Sequence, residues 1–311
     1  MREAVFFCFM HDVFDMLASM KKYFLLIIIF FIHTSFATSV IGSVNSFQPI
    51  AKIITAAKHP HHLLLVLDDD DTLTMMPCSS QPHCQYLGSA EWFNWQSALP
   101  ANNPNRVSPS FAKVIAIADY LIDASNMPLA ESDIPAVLKL AHDRGVSVLV
   151  ETARGYNLIP ATEQQFSNDH ILSLIEASAI LSKTGHISFA GDYFPKKELG
   201  LTTHRAIAYE NGVLYVAGQN KGIMLKEFLE KTGKSSQFTH IVFLDDTYQN
   251  IVDVAAAYQQ MPNVDVDSLH DLHLQEHKSQ FMHSKKLQHI ASTEWKHLAA
   301  ADKANLPGFA Y

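Results

Sequence analysis

The sequence has little cysteine and a deficit of positive charge, and each shortage argues against a class of protein. Three cysteines occur in 311 residues, and no second Cys/His pair at zinc-finger spacing follows Cys78 and Cys84, which disfavours a structural zinc site. Acidic residues outnumber basic ones by 31 to 23, and no basic stripe is present, so nucleic acid is disfavoured as the main partner. The 48% hydrophobic content is ample for a core and excludes disordered and fibrous classes.

Long apolar runs are also lacking. The run at 23–32 has ten residues, whereas a membrane-spanning helix needs about 20. Lys21 and Lys22 precede it and Ser35-Phe36-Ala37 follows it, which is the arrangement of a secretory signal peptide. We predict that translation begins at Met20, that residues 1–19 are an over-extended start, and that cleavage follows Ala37. The mature protein would then be periplasmic or secreted, with no stable membrane anchor.

An exported protein meets oxidising conditions, which bear on the remaining cysteine pair. Cys78 and Cys84 are separated by five residues. They either close a small disulfide loop or remain free and buried. The sequence leaves both alternatives open.

The most informative stretch is an apolar run at 63–67 that ends abruptly in acid. Five consecutive aliphatic residues predict a central parallel strand covered on both faces by helices. Ligands bind at the carboxyl ends of such strands. Asp68 and Asp70 follow, and residues two apart point the same way, so one carboxylate can attack phosphorus while the other moves a proton. A solvated acidic run or a loose calcium loop are the alternatives.

A second strand predicted at 146–150 is followed by Thr152 and Arg154. If it lies parallel to the first strand, Thr152 reaches the same edge of the sheet as Asp68. Its hydroxyl can donate to a phosphate oxygen, and Arg154 can add a charge-assisted bond. The alternatives are ordinary β-propensity for the threonine and a solvated position for the arginine.

Two later segments carry charge at element ends. A hairpin is predicted at 206–216 around Asn211-Gly212, and Lys221 then precedes a helix predicted at 223–232. A cation there opposes the helix dipole unless an anion lies beside it; the alternative is an exposed lysine without a role.

The apolar strand predicted at 240–244 ends in Asp245 and Asp246, which either belong to the site or cap the helix predicted at 251–260. Together with Asp68 to Asp71 they would place six carboxylates near one strand edge, where they would repel without a counter-ion. Mg²⁺ is the simplest counter-ion, since it takes oxygen ligands and bridges to phosphate.

Four segments resemble, in their order along the chain, the four motifs of haloacid dehalogenase-like (HAD) phosphohydrolases. They are Asp68-x-Asp70-x-Thr72, Thr152, Lys221 and Asp245-Asp246. The resemblance covers about residues 60 to 265. It implies an α/β fold with a three-layer, Rossmann-like parallel sheet and a small cap inserted between the first two motifs. The leader, Glu-Trp-Phe-x-Trp and Thr-Ala-Arg-Gly are also similar to a group of exported bacterial HAD-like proteins.

The resemblance also implies roles. Asp68 would be the nucleophile of an aspartyl-phosphate mechanism and Asp70 the general acid/base. Thr152, Arg154 and Lys221 would bind phosphate. The implied Mg²⁺ ligands are Asp68, Asp70 through its backbone carbonyl, Asp245 and the supporting Asp246. Asp71 departs from the family, in which many members have glycine at this position.

The predicted organisation is a core at 38–73 and 132–267, a cap at 74–131 and a helical tail at 268–311. In the cap, Trp92, Phe93 and Trp95 either line a substrate pocket or pack the cap onto its core. In the tail, His270, His273 and His277 are expected on one helical face, solvated rather than metal-binding.

We expect an exported, magnesium-dependent phosphatase acting on a small phosphorylated substrate. One alternative is a phosphotransferase or phosphomutase. Another is a catalytically weak HAD-fold protein that binds a host or envelope protein. The sequence does not reveal the substrate, because specificity lies in cap geometry.

Overall fold

The computed structural model describes residues 39–78, 84–181, 192–194 and 205–305. The predicted signal peptide lies outside these residues, and so do residues 187–189, for which Ile-Ser-Phe predicts a short strand. Within the part of the chain that the structure describes, none of the helices combines the length and the hydropathy needed to cross a membrane.

The protein has an α/β fold built on one mostly parallel sheet, which confirms the α/β part of the predicted fold class. The strands are β1 Ser39–Val44, β2 Leu63–Leu67, β3 Ser147–Thr152, β4 Asp192–Phe194, β5 Arg205–Glu210, β6 Val213–Tyr215, β7 His240–Asp245 and β8 Asp265–Asp271. They lie in the order β1-β8-β7-β2-β3-β6-β5-β4. All neighbours from β1 to β6 pair in parallel, and β5 and β4 add antiparallel pairings at one edge.

Helices cover both faces of this sheet. The helices of the described residues are α1 Gln48–Ala56, α2 Ala90–Ala98, α3 Phe111–Asp123, α4 Ile134–Arg144, α5 Ile159–Asn168, α6 Leu172–Ala177, α7 Lys221–Lys231, α8 Tyr248–Tyr258, α9 Gln275–His283 and α10 Lys285–Asn305. The central strand shows why the sequence folds this way. Leu63, Leu65 and Leu67 of β2 belong to the apolar layer that includes α1 and α4. Leu64 and Val66 point to the opposite layer, which includes α7 and α8.

Local signals in the sequence explain several element ends. Gly145 ends α4 with a φ of 73°, in the left-handed region that favours glycine. Asn211 and Gly212, with φ of 48° and 87°, make the predicted tight turn between β5 and β6. The sequence pattern from Pro160 to about Ser182 predicts a helical stretch. The structure interrupts it between α5 and α6, where His170 takes a φ of 61°.

The segment 74–131, called the insert below, contains α2 and α3. Its apolar residues form a separate core with α9 and α10, in which Trp92, Ile117, Leu121, Phe281 and Trp295 are all buried. The insert and the two C-terminal helices therefore form one helical layer.

The prediction of a helical tail beginning at Ser268 is wrong for its first residues. Residues 268–271 complete β8, which pairs with both β1 and β7. Ser268 is fully buried, and its hydroxyl donates to the carbonyl of Ile251 at 2.8 Å. The polar residues of this strand are accommodated by such bonds, so its composition does not predict a strand.

Candidate functional site

The carboxyl ends of three neighbouring strands bring the predicted residues together. Leu67 of β2 pairs in register with Val150 of β3 on one side and Leu244 of β7 on the other. The residues that follow these three positions therefore leave the sheet at the same edge. Asp68 continues this alignment, because its backbone N–H donates to the carbonyl of Leu244 at 2.9 Å.

Lys221 joins two of the acids. It is the first residue of α7, whose N-terminus is capped by the Asn220 side chain. Its ammonium group donates to the Asp68 carboxylate and to Asp245 Oδ2 at 2.6 Å, and the lysine is only 1% exposed. Burial lowers the pKa of Lys221, but the Asp245, Asp68 and Glu151 carboxylates outweigh this effect and raise it above its usual value. Lys221 is therefore a buried cation, which rules out the alternative of an exposed lysine.

Asp68 remains difficult to ionise in spite of this contact. Burial and the repulsion from Asp245 raise its pKa well above the usual value, and Lys221 only partly opposes them. Asp245 accepts further bonds from the Thr247 backbone N–H at 2.8 Å and from Asn250 Nδ2 at 3.0 Å. The Asp245 side chain is therefore fixed, whereas Asp68 depends on cations for its charge.

Arg154 holds the acidic loop after β2. Its guanidinium makes a two-point contact with Asp70, from Nε to Oδ2 at 3.0 Å and from Nη2 to Oδ1 at 2.7 Å. Nη1 lies 3.1 Å from Asp69 Oδ2, and it also donates at 2.8 Å to both Thr162 and Gln165 of α5. Arg154 is thus a buried link between this loop and α5, not a solvated arginine. A direct contact of Arg154 with phosphate stays a prediction.

Asp69 and Thr152 have different surroundings. Asp69 is fully buried, and Thr74 Oγ1 donates to it at 2.8 Å. Burial raises the pKa of Asp69 to about 6, although Arg154 opposes the shift. The Thr152 hydroxyl accepts from the Arg154 backbone N–H at 3.2 Å. That bond leaves the hydroxyl proton of Thr152 for an acceptor such as a phosphate oxygen.

Asp71 has a left-handed backbone conformation of the kind that glycine adopts most easily. Its φ is 65°, a region that glycine enters freely and that aspartate tolerates. The Asp71 side chain is 5% exposed, and Oδ2 has no hydrogen-bond partner within the described ranges. Burial and repulsion from Glu91 raise the pKa of Asp71 well above its usual value, while Lys278 opposes the shift.

Lys278 is the site residue that sequence reasoning missed. It lies on α9, far along the chain from the motifs, and its ammonium group contacts the Asp246 carboxylate. The same nitrogen lies 3.8 Å from Asp71 Oδ2. No spacing or pattern marks Lys278, because only the packing of α9 beside the acidic loop places it there.

The carboxylates suit a hard divalent cation. Ligand atoms of Asp68, Asp245 and Asp246 all lie within 4.8 Å of one another, and all three residues are buried. An all-oxygen set of this kind fits Mg²⁺ rather than a softer metal.

The insert borders the acidic loop but packs through its aromatic residues. Trp92 is 0% exposed and Trp95 9%, and Phe93 lies against the same core. These tryptophans therefore pack the helical layer, which favours the packing alternative. The structure bonds Cys78 to Cys84, with 4.0 Å between their Cα atoms.

The expectation that three histidines share one helical face is wrong. His270 is in β8, where Nε2 lies 3.0 Å from the Asp246 carbonyl, and His273 follows that strand, 3.8 Å from Glu131. His277 is in α9, where it stacks on Tyr86 and lies 3.4 Å from Glu91. The histidines separate because β8 replaces the first turn of the expected helix.

One known protein family matches most of the chain. A family described as protein of unknown function (DUF2608) matches residues 43–304. The chain belongs to the DUF2608 family. The match includes the insert and the C-terminal helices as well as the sheet, so Lys278 lies inside the region that defines DUF2608. A search of curated proteins finds no similar sequence.

Proposed function

We propose that this DUF2608 protein is an exported, magnesium-dependent, HAD-like phosphatase that hydrolyses small phosphomonoesters through an aspartyl-phosphate. The observation that carries the proposal is the pairing of Lys221 with both Asp68 and Asp245 at the carboxyl edge of the sheet. Phosphoryl transfer needs a nucleophilic carboxylate, a cation and a further acid close together, and this edge of the sheet supplies all three.

In the proposed reaction, an Asp68 oxygen attacks phosphorus and the ester oxygen leaves. Asp70, which is partly exposed beside Asp68, protonates that leaving oxygen and later takes a proton from the attacking water. Lys221 and the Thr152 hydroxyl stabilise the phosphoryl oxygens as negative charge develops on them. Phosphate and the free Asp68 carboxylate are the products of the second step.

Asp68, Asp245, Asp246 and the Asp70 backbone carbonyl would hold Mg²⁺. When bound, the ion would neutralise these carboxylates and the phosphoryl oxygens. Cation binding would also favour the ionised form of Asp68, which burial and Asp245 otherwise disfavour.

Export is part of the proposal. It is supported by the basic, apolar and small-residue regions at 21–37. The bonded pair Cys78 and Cys84 fits an oxidising compartment.

One contact favours a second candidate, a catalytically weak protein that binds a host or envelope partner. Both Asp70 oxygens accept from Arg154. Asp70 must therefore loosen this contact to transfer a proton. If it does not, the site would bind a metal ion and turn over slowly.

The test is phosphate release from a panel of phosphomonoesters, with Mg²⁺ or with EDTA, by the wild type and by Asp68→Asn. The matched control is Asp143→Asn, which removes an exposed acid on α4. The proposal predicts magnesium-dependent release that Asp68→Asn abolishes and Asp143→Asn retains. Transfer to added alcohols instead of water would identify a phosphotransferase. Magnesium binding without any release by folded protein would contradict the phosphatase and favour the binding protein.

A further inference from the structure

The placement of Lys278 suggests a role in controlling the metal site. Its side chain is 15% exposed, and its ammonium group contacts Asp246. Asp246 belongs to the carboxylate set with Asp68 and Asp245. Lys221 already pairs with those other two acids. Lys278 is therefore the cation that balances the third member of the set.

The helix that carries Lys278 is fixed by packing on the insert. The ring of His277, the preceding residue, stacks on Tyr86 with 4.6 Å between centroids. Phe281, one turn further along α9, is fully buried and lies 5.0 Å from Tyr86 and 5.8 Å from Trp95 between ring centroids. These contacts set the position of the Lys278 backbone, while its long stem leaves the ammonium group free to reorient.

A second acceptor lies within reach of that ammonium group. Asp71 Oδ2 is 3.8 Å from Lys278 Nζ and has no hydrogen-bond donor within the described part of the chain. An ammonium displaced from Asp246 can therefore pair with Asp71 without leaving the site. Asp71, where many HAD proteins have glycine, gains a role as the alternative partner.

We propose that Lys278 is a resident counter-cation that occupies Asp246 in the metal-free protein and competes with the divalent cation for this carboxylate. Metal binding moves the ammonium group to Asp71. Because binding of the two cations is mutually opposed, Lys278 weakens the affinity of the site for Mg²⁺. The inference rests on the proposed function only in placing Mg²⁺ on the same carboxylates.

The test is calorimetric titration of the full chain with MgCl₂ alone, without substrate. Lys278→Met and Lys278→Gln remove the competing charge, so both are expected to bind Mg²⁺ on the order of tenfold more tightly than the wild type. Lys278→Arg retains a cation and should stay near the wild-type affinity. Lys285→Met is the matched control, since it removes an exposed positive charge at the start of α10, and it should also bind as the wild type does.

A second readout does not depend on affinity. In EDTA, Lys278→Gln should melt below the wild type because Asp246 and Asp71 lose their cation. Saturating Mg²⁺ should then raise its melting temperature more than that of the wild type. The proposal would be overturned if Mg²⁺ raised the melting temperatures of Lys278→Gln and the wild type equally. It would also be overturned if both charge-removing variants bound Mg²⁺ no more tightly than the wild type, or if no variant bound Mg²⁺.

The outcomes separate this inference from the phosphatase proposal. Lys278-dependent Mg²⁺ affinity without phosphate release supports the counter-cation and contradicts the phosphatase. Magnesium-dependent phosphate release, with an Mg²⁺ affinity that does not change when Lys278 is replaced, supports the phosphatase and contradicts the counter-cation.

Discussion

Replacing Arg154 by methionine tests whether this residue supports the acidic loop. Methionine is similar in length to the aliphatic part of the arginine side chain, so the substitution removes only the guanidinium group. The change leaves Asp69 without its cation and Asp70 without its two-point contact. It also removes the donor to Thr162 and Gln165, both of which are buried.

The magnitude follows from these contacts. Removing one member of a buried ion pair costs about 3–5 kcal/mol, and each lost neutral hydrogen bond costs about 1 kcal/mol. Since the same guanidinium makes all of these contacts, the terms overlap, and we expect Arg154→Met to lower the free energy of unfolding by about 5 kcal/mol. The measurement is urea unfolding in EDTA, followed by tryptophan fluorescence.

Arg144→Met is the control for this measurement. Arg144 is exposed and donates to the carbonyls of Thr55 and Ala57, at 3.3 and 3.0 Å. Its replacement should cost less than about 1 kcal/mol. If Arg154→Met costs no more than Arg144→Met, the guanidinium does not support the loop and the reasoning is refuted.

Three further predictions concern the same edge of the sheet. Asp71→Gly removes a buried carboxylate and the strain of a φ of 65°, whereas Asp71→Ala removes only the carboxylate. In urea unfolding with EDTA, the glycine variant should therefore have a free energy of unfolding about 1 kcal/mol higher than the alanine variant, and an equal or more stable alanine variant would contradict this. A Cβ on Gly222 would lie 2.3 Å from the Asp253 carbonyl oxygen, so Gly222→Ala should push α7 away from α8, lower the free energy of unfolding by about 1–3 kcal/mol and weaken Mg²⁺ binding. Unchanged urea unfolding and an unchanged Mg²⁺ titration would refute the close contact. Burial raises the pKa of Asp69 to about 6 and that of Glu151 well above its usual value. Both carboxyls therefore bind protons more tightly in the folded state, and the stability this contributes is lost as pH rises from their usual pKa values through the raised ones. The metal-free protein should melt higher at about pH 5 than at about pH 7, and a lower melting temperature at about pH 5 would contradict these raised pKa values.

The central strands of the fold were predictable because their sequence signals are local. β2 and β7 are apolar runs that end in aspartate, and the β5–β6 turn contains Asn211-Gly212. The edge strand β1 and its neighbour β8 were not predictable in the same way. β1 carries mostly exposed residues, and β8 has a charged or polar residue at most positions. Both are strands because they pair with each other, which is a tertiary effect.

The same division applies to the site. The strand-end residues Asp68, Thr152 and Asp245 could be placed together from the rule that ligands bind at the carboxyl edge. The two-point contact of Arg154 with Asp70 and the approach of Lys278 depend on distant elements. The strand-end position of Arg154 was predictable, but its contact with Asp70 was not, because Thr162 and Gln165 of α5 help to hold the guanidinium. Lys278 has no local signal, because only the packing of α9 brings it to the site.

The most direct test of the central claim is identification of a phosphorylated residue during turnover. Asp70→Asn removes the base of the second step, and an aryl phosphate has a leaving group good enough to depart without a proton in the first. The variant is therefore mixed with an aryl phosphate and Mg²⁺, quenched in acid and analysed by peptide mass spectrometry after borohydride reduction of the acyl phosphate. The account predicts that Asp68 is modified in Asp70→Asn. It predicts no modified residue in the double variant Asp68→Asn, Asp70→Asn. Phosphate on a histidine, or an unmodified Asp68 in protein that releases phosphate, would contradict it.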